Sequence, residues 1–266
     1  MASFHCLTFL TDYGLEDGFV AACHGVGFQI APKTRIIDIT HLVPPGDIRR
    51  GAAVLAQAVP YLPAAVHLAV VDPGVGSDRR AVALALADGR VLVGPDNGLL
   101  WLASERAGGV VEAVDIGRSP FALEPVSATF HGRDIFAPVA ARLAAGATLA
   151  EAGEWCDPAG LVRLELSRPR VEDGALVALA VYLDRFGNVA LDAAGGAGLG
   201  HGRRLAVSVR GESWPGVFGR TFADVAAGEL LVYEDSYGRL AVAVNQGSAV
   251  QRLSISVGDE LRIATE

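Results

Sequence analysis

Several short stretches of this chain combine acids, cations and glycines in ways that could do chemistry. "AVVDPGVGSDRR" (Ala69–Arg80) runs from an apolar, strand-like segment into Asp72, a Pro-Gly-Val-Gly turn, and then Arg79 and Arg80. A carboxylate flanked by valines and proline is costly to bury without a partner or a purpose. Asp72 therefore reads as an acid presented to a ligand at the carboxyl end of a strand. "ATFHGRDIFAP" places His131 beside Gly132, with Arg133 and Asp134 following. A lone histidine is usually a packing or surface residue, but here a glycine would let a ligand approach the backbone.

"TDYG" ends another strand-like run on Asp12, and "GPDNG" carries Asp96 and Asn97. Ligands of open α/β sheets sit outside the carboxyl ends of the strands, which is where these residues fall. Each also has a plainer use. Asp47 and Asp134 read mainly as helix N-caps, worth ~1 kcal/mol each. Asp96 and Asn97 read as turn formers before Gly98, and Arg80 as a structural ion pair.

The second half has two comparable clusters. "YLDRFGNVALD" brings Asp184, Phe186 and Asn188 together on one turn. "YEDSYGRLAVAVNQGSA" carries Ser236 and Tyr237 in one turn and Asn245-Gln246-Gly247-Ser248 in another. An acid, an aromatic ring and an amide on a turn suit a flat heterocycle with an amino group. Gly187 and Gly238 read as hairpin formers.

Other chemistries are disfavoured. No HxxxH, HExxH or histidine–carboxylate ligand pattern is legible, so no metal is expected. His5, His24, His41, His67 and His201 receive no role. No GxSxG elbow, Walker loop or GxGxxG follows a strand. The chain has 266 residues and a formal charge of −8, with no basic block, which argues against nucleic acid. No run approaches the ~20 apolar residues of a membrane span. The N-terminus lacks a signal-peptide layout. The 3 cysteines form no CxxC pair, so a reducing cytoplasm is expected.

Strand and helix signals alternate through the first two-thirds. Strands are expected at Cys6–Asp12, Thr34–Thr40, Val66–Asp72, Ala81–Leu86, Arg90–Val93 and Val110–Ile116. Helices are expected at Phe19–Ala31, Asp47–Val59, Leu99–Ala107 and Ile135–Ala145. In the second of these, Ile48, Ala52, Leu55, Ala56 and Val59 share one apolar face. Alternation of this kind predicts an α/β domain with a mostly parallel sheet. From about Ala175 the signal changes to short strands broken by Gly, Asp and Asn, which predicts a smaller all-β, barrel-like domain. The boundaries are 1–166 for the α/β domain, 167–174 for a linker and 175–266 for the β domain.

Taken together, "TDYGLEDGFV", "VVDPGVGSDRR", "GPDNGLL", "FHGRDIFAP", "DRFGNV" and "NQGSA" resemble the S-adenosyl-L-methionine (SAM) hydroxide adenosyltransferases, or SAM hydrolases. These are relatives of the fluorinase and chlorinase enzymes. The resemblance covers nearly the whole chain, in order. It implies a two-domain subunit in a homotrimer that takes SAM as substrate, so no cofactor is expected. It also implies a site between the N-terminal domain of one subunit and the C-terminal domain of its neighbour. Carried over by position, Asp12 would hold the ribose hydroxyls and Asp17 the methionine ammonium. Asp184 would meet the methionine end and Ser236 its carboxylate. Phe186, Asn188 and the Asn245–Ser248 turn, Gly247 included, would meet adenine. The catalytic set would be Asp72, Arg79 and His131. The halogenases carry arginine where this chain has Tyr237, and one more residue within the "DRFGN" stretch.

The implied reaction is attack of a water oxygen on ribose C5′, expelling methionine. Prior proton transfer from water (pKa ~15.7) to an ordinary Asp would cost about 16 kcal/mol, and to an ordinary His about 12 kcal/mol. Deprotonation is thus expected to accompany or follow attack, with Asp72 and His131 orienting the water and receiving its proton. A halide needs no proton acceptor and would be repelled by a carboxylate, by about 4 kcal/mol at 4 Å and an effective dielectric near 20. Three rivals remain: a halogenase, a non-catalytic SAM or adenosine sensor, and a metal-dependent nucleotide hydrolase using Asp12, Asp72 and Asp96.

Overall fold

The structure is a computed structural model that describes residues 3–165, 168–196 and 199–266. The chain folds as two compact units, Met1–Leu164 and Glu165–Glu266.

The first unit runs β1 (Cys6–Thr11), α1 (Phe19–Ile30), β2 (Arg35–Thr40), α2 (Ile48–Ala58), β3 (Val66–Val70), β4 (Ala81–Leu86), β5 (Val91–Pro95), α3 (Trp101–Arg106), β6 (Val110–Asp115), α4 (Ala137–Ala144), α5 (Leu149–Ala152) and β7 (Glu154–Trp155). The strands form one sheet in the order β2-β1-β3-β5-β4-β6-β7. β2, β1, β3 and β5 are parallel neighbours, and β6 shares their direction because β4, which separates it from β5, is antiparallel to both. The expected mostly parallel α/β sheet is therefore present.

Strand periodicity of two sends alternate side chains to opposite faces. Leu7, Phe9, Val66, Leu68 and Val70 pack into one core with Val139, Ala140 and Leu143 of α4. Leu10, Ala69 and Val71 pack into a second core with Ala52 and Leu55 of α2. Helices on both faces bury the central strands completely, which explains why "CLTFLT" reads as an unbroken apolar run. Asp47 caps α2 as expected, accepting from Arg50 N at 2.9 Å.

The entrance to α4 differs from the expected plain helix over Ile135–Ala145. It begins with a π-helical turn, Gly132–Phe136, before regular α-helix. Wide turns of this kind recur at functional sites. Asp134 makes no cap there. Its carboxylate instead accepts from Ser127 N at 2.8 Å and from Arg133, closing the loop that carries His131.

The second unit contains β8 (Arg170–Glu172), β9 (Ala175–Leu183), β10 (Val189–Ala194), β11 (Arg204–Val209), β12 (Glu212–Phe218), β13 (Leu230–Glu234), β14 (Arg239–Val244), α6 (Ala249–Leu253) and β15 (Glu260–Thr265). Its sheet order is β10-β14-β13-β12-β11-β15-β9-β8, and a further β10–β9 pairing closes seven of these strands into a barrel. Closure removes the exposed edges that short strands would otherwise leave. Of the stretch read as a linker, Ser167 lies outside the described residues, whereas Arg170–Glu172 is a strand paired with the start of β9. Its polar composition reflects an exposed edge strand rather than a connection. Among the described residues no helix is long and apolar enough to cross a membrane.

Candidate active site

β1 and β3 are parallel neighbours, with Thr11 opposite Val70. Asp12 and Asp72 therefore leave the same edge of the sheet. The Asp12 carboxylate is held by Gly46 N, which donates to its Oδ2 at 2.8 Å.

Asp72 is held by Arg79. Nε of Arg79 donates to Oδ1 and Oδ2 at 3.0 and 2.9 Å, and Nη2 donates closely to Oδ2. Both side chains are well buried, Asp72 at 6% exposure and Arg79 at 11%. The turn that returns Arg79 to Asp72 passes against the loop that carries His131. Gly76 has φ +79°, and a Cβ there would lie 2.7 Å from the Ala128 carbonyl. Only glycine suits that approach.

The same Nη2 of Arg79 lies 2.9 Å from His131 Nδ1. A guanidinium can only donate, so Nδ1 must accept. The ring is then neutral with its proton on Nε2. Burial, followed by the charge of Arg79, holds the His131 pKa below its ordinary value, against the opposing pull of Asp72. Carboxylate, guanidinium and imidazole thus form one connected chain.

Asp12, Asp72 and His131 line a cavity of about 290 Å³ with Tyr13, Phe19, Val70, Val75, Thr129, Phe130 and Gly132. Three rings wall it: Phe130 lies 5.8 Å from Tyr13 and 5.1 Å from Phe19, both edge-on. Tyr13 and the aromatic wall were not anticipated from the sequence, although Tyr13 follows Asp12 directly. The requirement for Gly132 is also specific: a Cβ there would lie 1.9 Å from the Tyr13 hydroxyl. Burial, reinforced by Cys23, Asp12 and Asp72, pushes the Tyr13 phenol well above its ordinary pKa, so it remains a neutral hydroxyl.

Other anticipated residues lie apart from this cavity. Asp17 is exposed on the β1–α1 loop and does not line it. Asp96 pairs with Arg80 and accepts from Val162 N at 2.8 Å. Asn97 is the turn former, accepting from Leu99 N and donating to Val71 O.

Residues 7–153 match the SAM hydroxide adenosyltransferase N-terminal domain, and residues 179–262 match the corresponding C-terminal domain. The chain belongs to the SAM hydroxide adenosyltransferase family. It is 59% identical over 263 residues to a protein of Salinispora tropica named (R)-S-adenosyl-L-methionine hydrolase, covering 99% of each chain. It is 40% identical over 275 residues to a protein of the same name from Thermus thermophilus, covering 96% of this chain and 98% of that one. A fluorinase of Nocardia brasiliensis is more distant, at 27% over 288 residues, covering 97% and 96%. Among solved structures, an uncharacterized conserved protein from Thermotoga maritima superposes with a TM-score of 0.91 at 37% identity, covering 97% of this chain and 99% of that one.

Within this adenosyltransferase chain, the anticipated C-terminal residues lie on three barrel turns. Asp184 organises its own turn: Oδ1 accepts from Phe186 N and Asn188 N, and Oδ2 accepts from Asn188 Nδ2 at 2.7 Å. Phe186 is left 73% exposed beside it. This turn meets the start of α6, just after the Asn245–Ser248 turn, where Val250 N donates to Gly187 O at 3.0 Å. Asn245 donates to Val225 O, and Ser248 caps α6. Gly247 N donates to Val244 O at 3.1 Å. Ser236 and Tyr237 are exposed on the β13–β14 turn, which Asp235 organises by accepting from Tyr237 N and Arg239 N. Burial, then Asp184, then Asp235 push the Tyr233 phenol up to about 12.

Proposed function

We propose that this protein hydrolyses SAM to adenosine and L-methionine, with water attacking ribose C5′ as the sulfonium departs. The activity named for its close relatives supports this reading. The observation that carries the mechanism is the half-buried chain from Asp72 through Arg79 to His131 at the edge of a cavity shared with Asp12.

The three groups take separable roles. Among the described residues Asp72 Oδ1 accepts only from Arg79 Nε, and a carboxylate oxygen has lone pairs for a second donor. A water can therefore donate to Oδ1, and Asp72 is the group that takes its proton. His131 differs from the expectation that both residues receive it. With Nδ1 engaged by Arg79, the free edge of its ring is an N–H that can only donate. That N–H would orient the water oxygen toward C5′. Arg79 holds both partners in place, and Asp12 would hold the ribose hydroxyls. The overall step consumes one water: a C5′–O bond forms, the C5′–S bond breaks with its electron pair going to sulfur, and the proton passes through Asp72 to solvent.

We also infer a cytoplasmic homotrimer that needs no cofactor, and no metal ion for the chemical step. A neighbour's barrel turns would supply Phe186, Asn188, Asn245 and Gly247 toward adenine. They would also supply Asp184, Ser236 and Tyr237 toward methionine, and Asp17 would complete the ammonium contacts. A cavity of about 290 Å³ falls just below the ~300–1,000 Å³ usual for a drug-sized ligand, which fits a substrate only partly enclosed by one N-terminal unit.

The test is turnover in oxygen-18 water with mass spectrometry of the nucleoside. Label in the adenosine 5′-hydroxyl is expected. Unlabelled adenosine, or no turnover, would overturn the reading. In the same assay, halogenated nucleoside formed from added chloride or fluoride would favour the halogenase alternative.

A further inference from the structure

A second cluster lies at the β2 edge of the N-terminal sheet, outside the lining of the cavity. His24 on α1, Asp38 on β2 and His41 just beyond β2 each offer one donor atom, all within 4.8 Å of one another. His24 Nε2 lies 2.9 Å from Asp38 Oδ1, and His41 Nε2 lies 3.1 Å from the same oxygen.

Two features separate this cluster from an ordinary surface ion pair. His41 is 4% exposed, and its Nδ1 is fixed by Thr11 Oγ1 at 2.9 Å. Metal-bound imidazoles are commonly oriented in this way, through the ring nitrogen that does not face the ion. The other nitrogen, Nε2, is buried and has no directed hydrogen-bond partner. Its approach to Asp38 meets the distance for an ion pair but not the alignment of a hydrogen bond. Asp38 and His24 are 41% and 35% exposed at their side chains, leaving access for an ion and for water.

We propose that His24, Asp38 and His41 bind a divalent transition metal ion of the zinc class, with water completing the coordination. Two imidazoles and one carboxylate suit zinc and its neighbours, whereas calcium and magnesium take oxygen donors. Donors at the ~2.0–2.1 Å typical of tetrahedral zinc stand about 3.3 Å apart. The two separations from Asp38 Oδ1, 2.9 and 3.1 Å, are within a few tenths of an ångström of that spacing. The ion would act on structure, not on the reaction. The His41 carbonyl accepts from Gly14 N, and its ring is held by Thr11, so the ion would brace both ends of the segment that carries Asp12 and Tyr13.

The test uses chelator-stripped full-length protein titrated with zinc chloride, read by calorimetry and thermal unfolding, with the absorption of bound cobalt as a spectroscopic check. One ion per chain is expected, with Tm rising by roughly 5–10 °C at a hundredfold excess over Kd. His24→Ala, at a half-buried position, and Asp38→Asn, at an exposed one, should each weaken binding at least tenfold. No saturable binding to stripped wild type, or binding unchanged in both variants, would overturn the proposal.

Discussion

Replacing Gly132 with alanine should damage catalysis through a contact that can be worked out from the structure. The new Cβ would stand 1.9 Å from the Tyr13 hydroxyl and 2.9 Å from its Cζ. Carbon–oxygen contacts close to no less than about 3.3 Å, so about 1.4 Å of overlap must be relieved. Tyr13 has little freedom to move, because Phe9, Phe19 and Phe130 pack around its ring. Either its hydroxyl swings into the cavity, or the His131–Gly132 backbone withdraws from Arg79. A misplacement near 1 Å costs about 100-fold in rate, and overpacking costs ~1–3 kcal/mol of stability. Steady-state release of adenosine, followed by chromatography, should show kcat/KM down by about that factor. Tyr13→Phe in the same chain removes the worst contact and leaves the one at 2.9 Å, so it should restore part of the loss non-additively. A Gly132→Ala enzyme within threefold of wild type, or no recovery in the double variant, would refute the reasoning.

Asp72→Asn keeps the shape but removes the proton acceptor, and kcat should fall by ~100- to 10,000-fold, with adenosine binding by calorimetry little changed; near-wild-type turnover would exclude Asp72 from the proton step. The neutral His131 ring is the one that accepts from Arg79, and its pKa lies below the ordinary ~6.5 of histidine. The pH profile of kcat/KM should therefore stay level through neutrality and fall only in acid below that ordinary value, and a decline already beginning above pH ~7 would contradict the assignment. His67 is fully buried beside Thr8, and its pKa is pushed down to about 4 by burial and then by Arg90. Between pH ~6.5 and about 4 the unfolded chain binds a proton that the folded chain does not, so stability falls as pH falls, by about 3 kcal/mol across the window. Urea titrations at several pH values should show this slope for wild type and lose most of it in His67→Gln.

The legible parts of the chain were those encoded over short distances. Strand–helix alternation, the apolar face of α2, the Asp47 cap and the change of texture near Ala175 all follow from neighbouring residues, and all appear in the fold. The residues 170–172 were harder, because an exposed edge strand and a linker share a polar composition. Asp134 looked like a helix cap because acids before helices usually are. The π-helical turn at Gly132–Phe136 instead directs that acid to Ser127 and Arg133.

From sequence alone, the order of elements, the two kinds of domain and the resemblance carried by six short motifs could be read, since each rests on local pattern. Tertiary structure alone decided which side chains meet. His131 reaches Arg79 across 52 residues, and Thr11 reaches His41 across 30. Gly132 owes its identity to Tyr13, more than a hundred positions away. The physical reason is that sheet order and register, set by burying both faces of the sheet at once, bring distant strand ends to one edge. The direction in which a hydrogen bond runs can then be read only when its donor and acceptor are seen together.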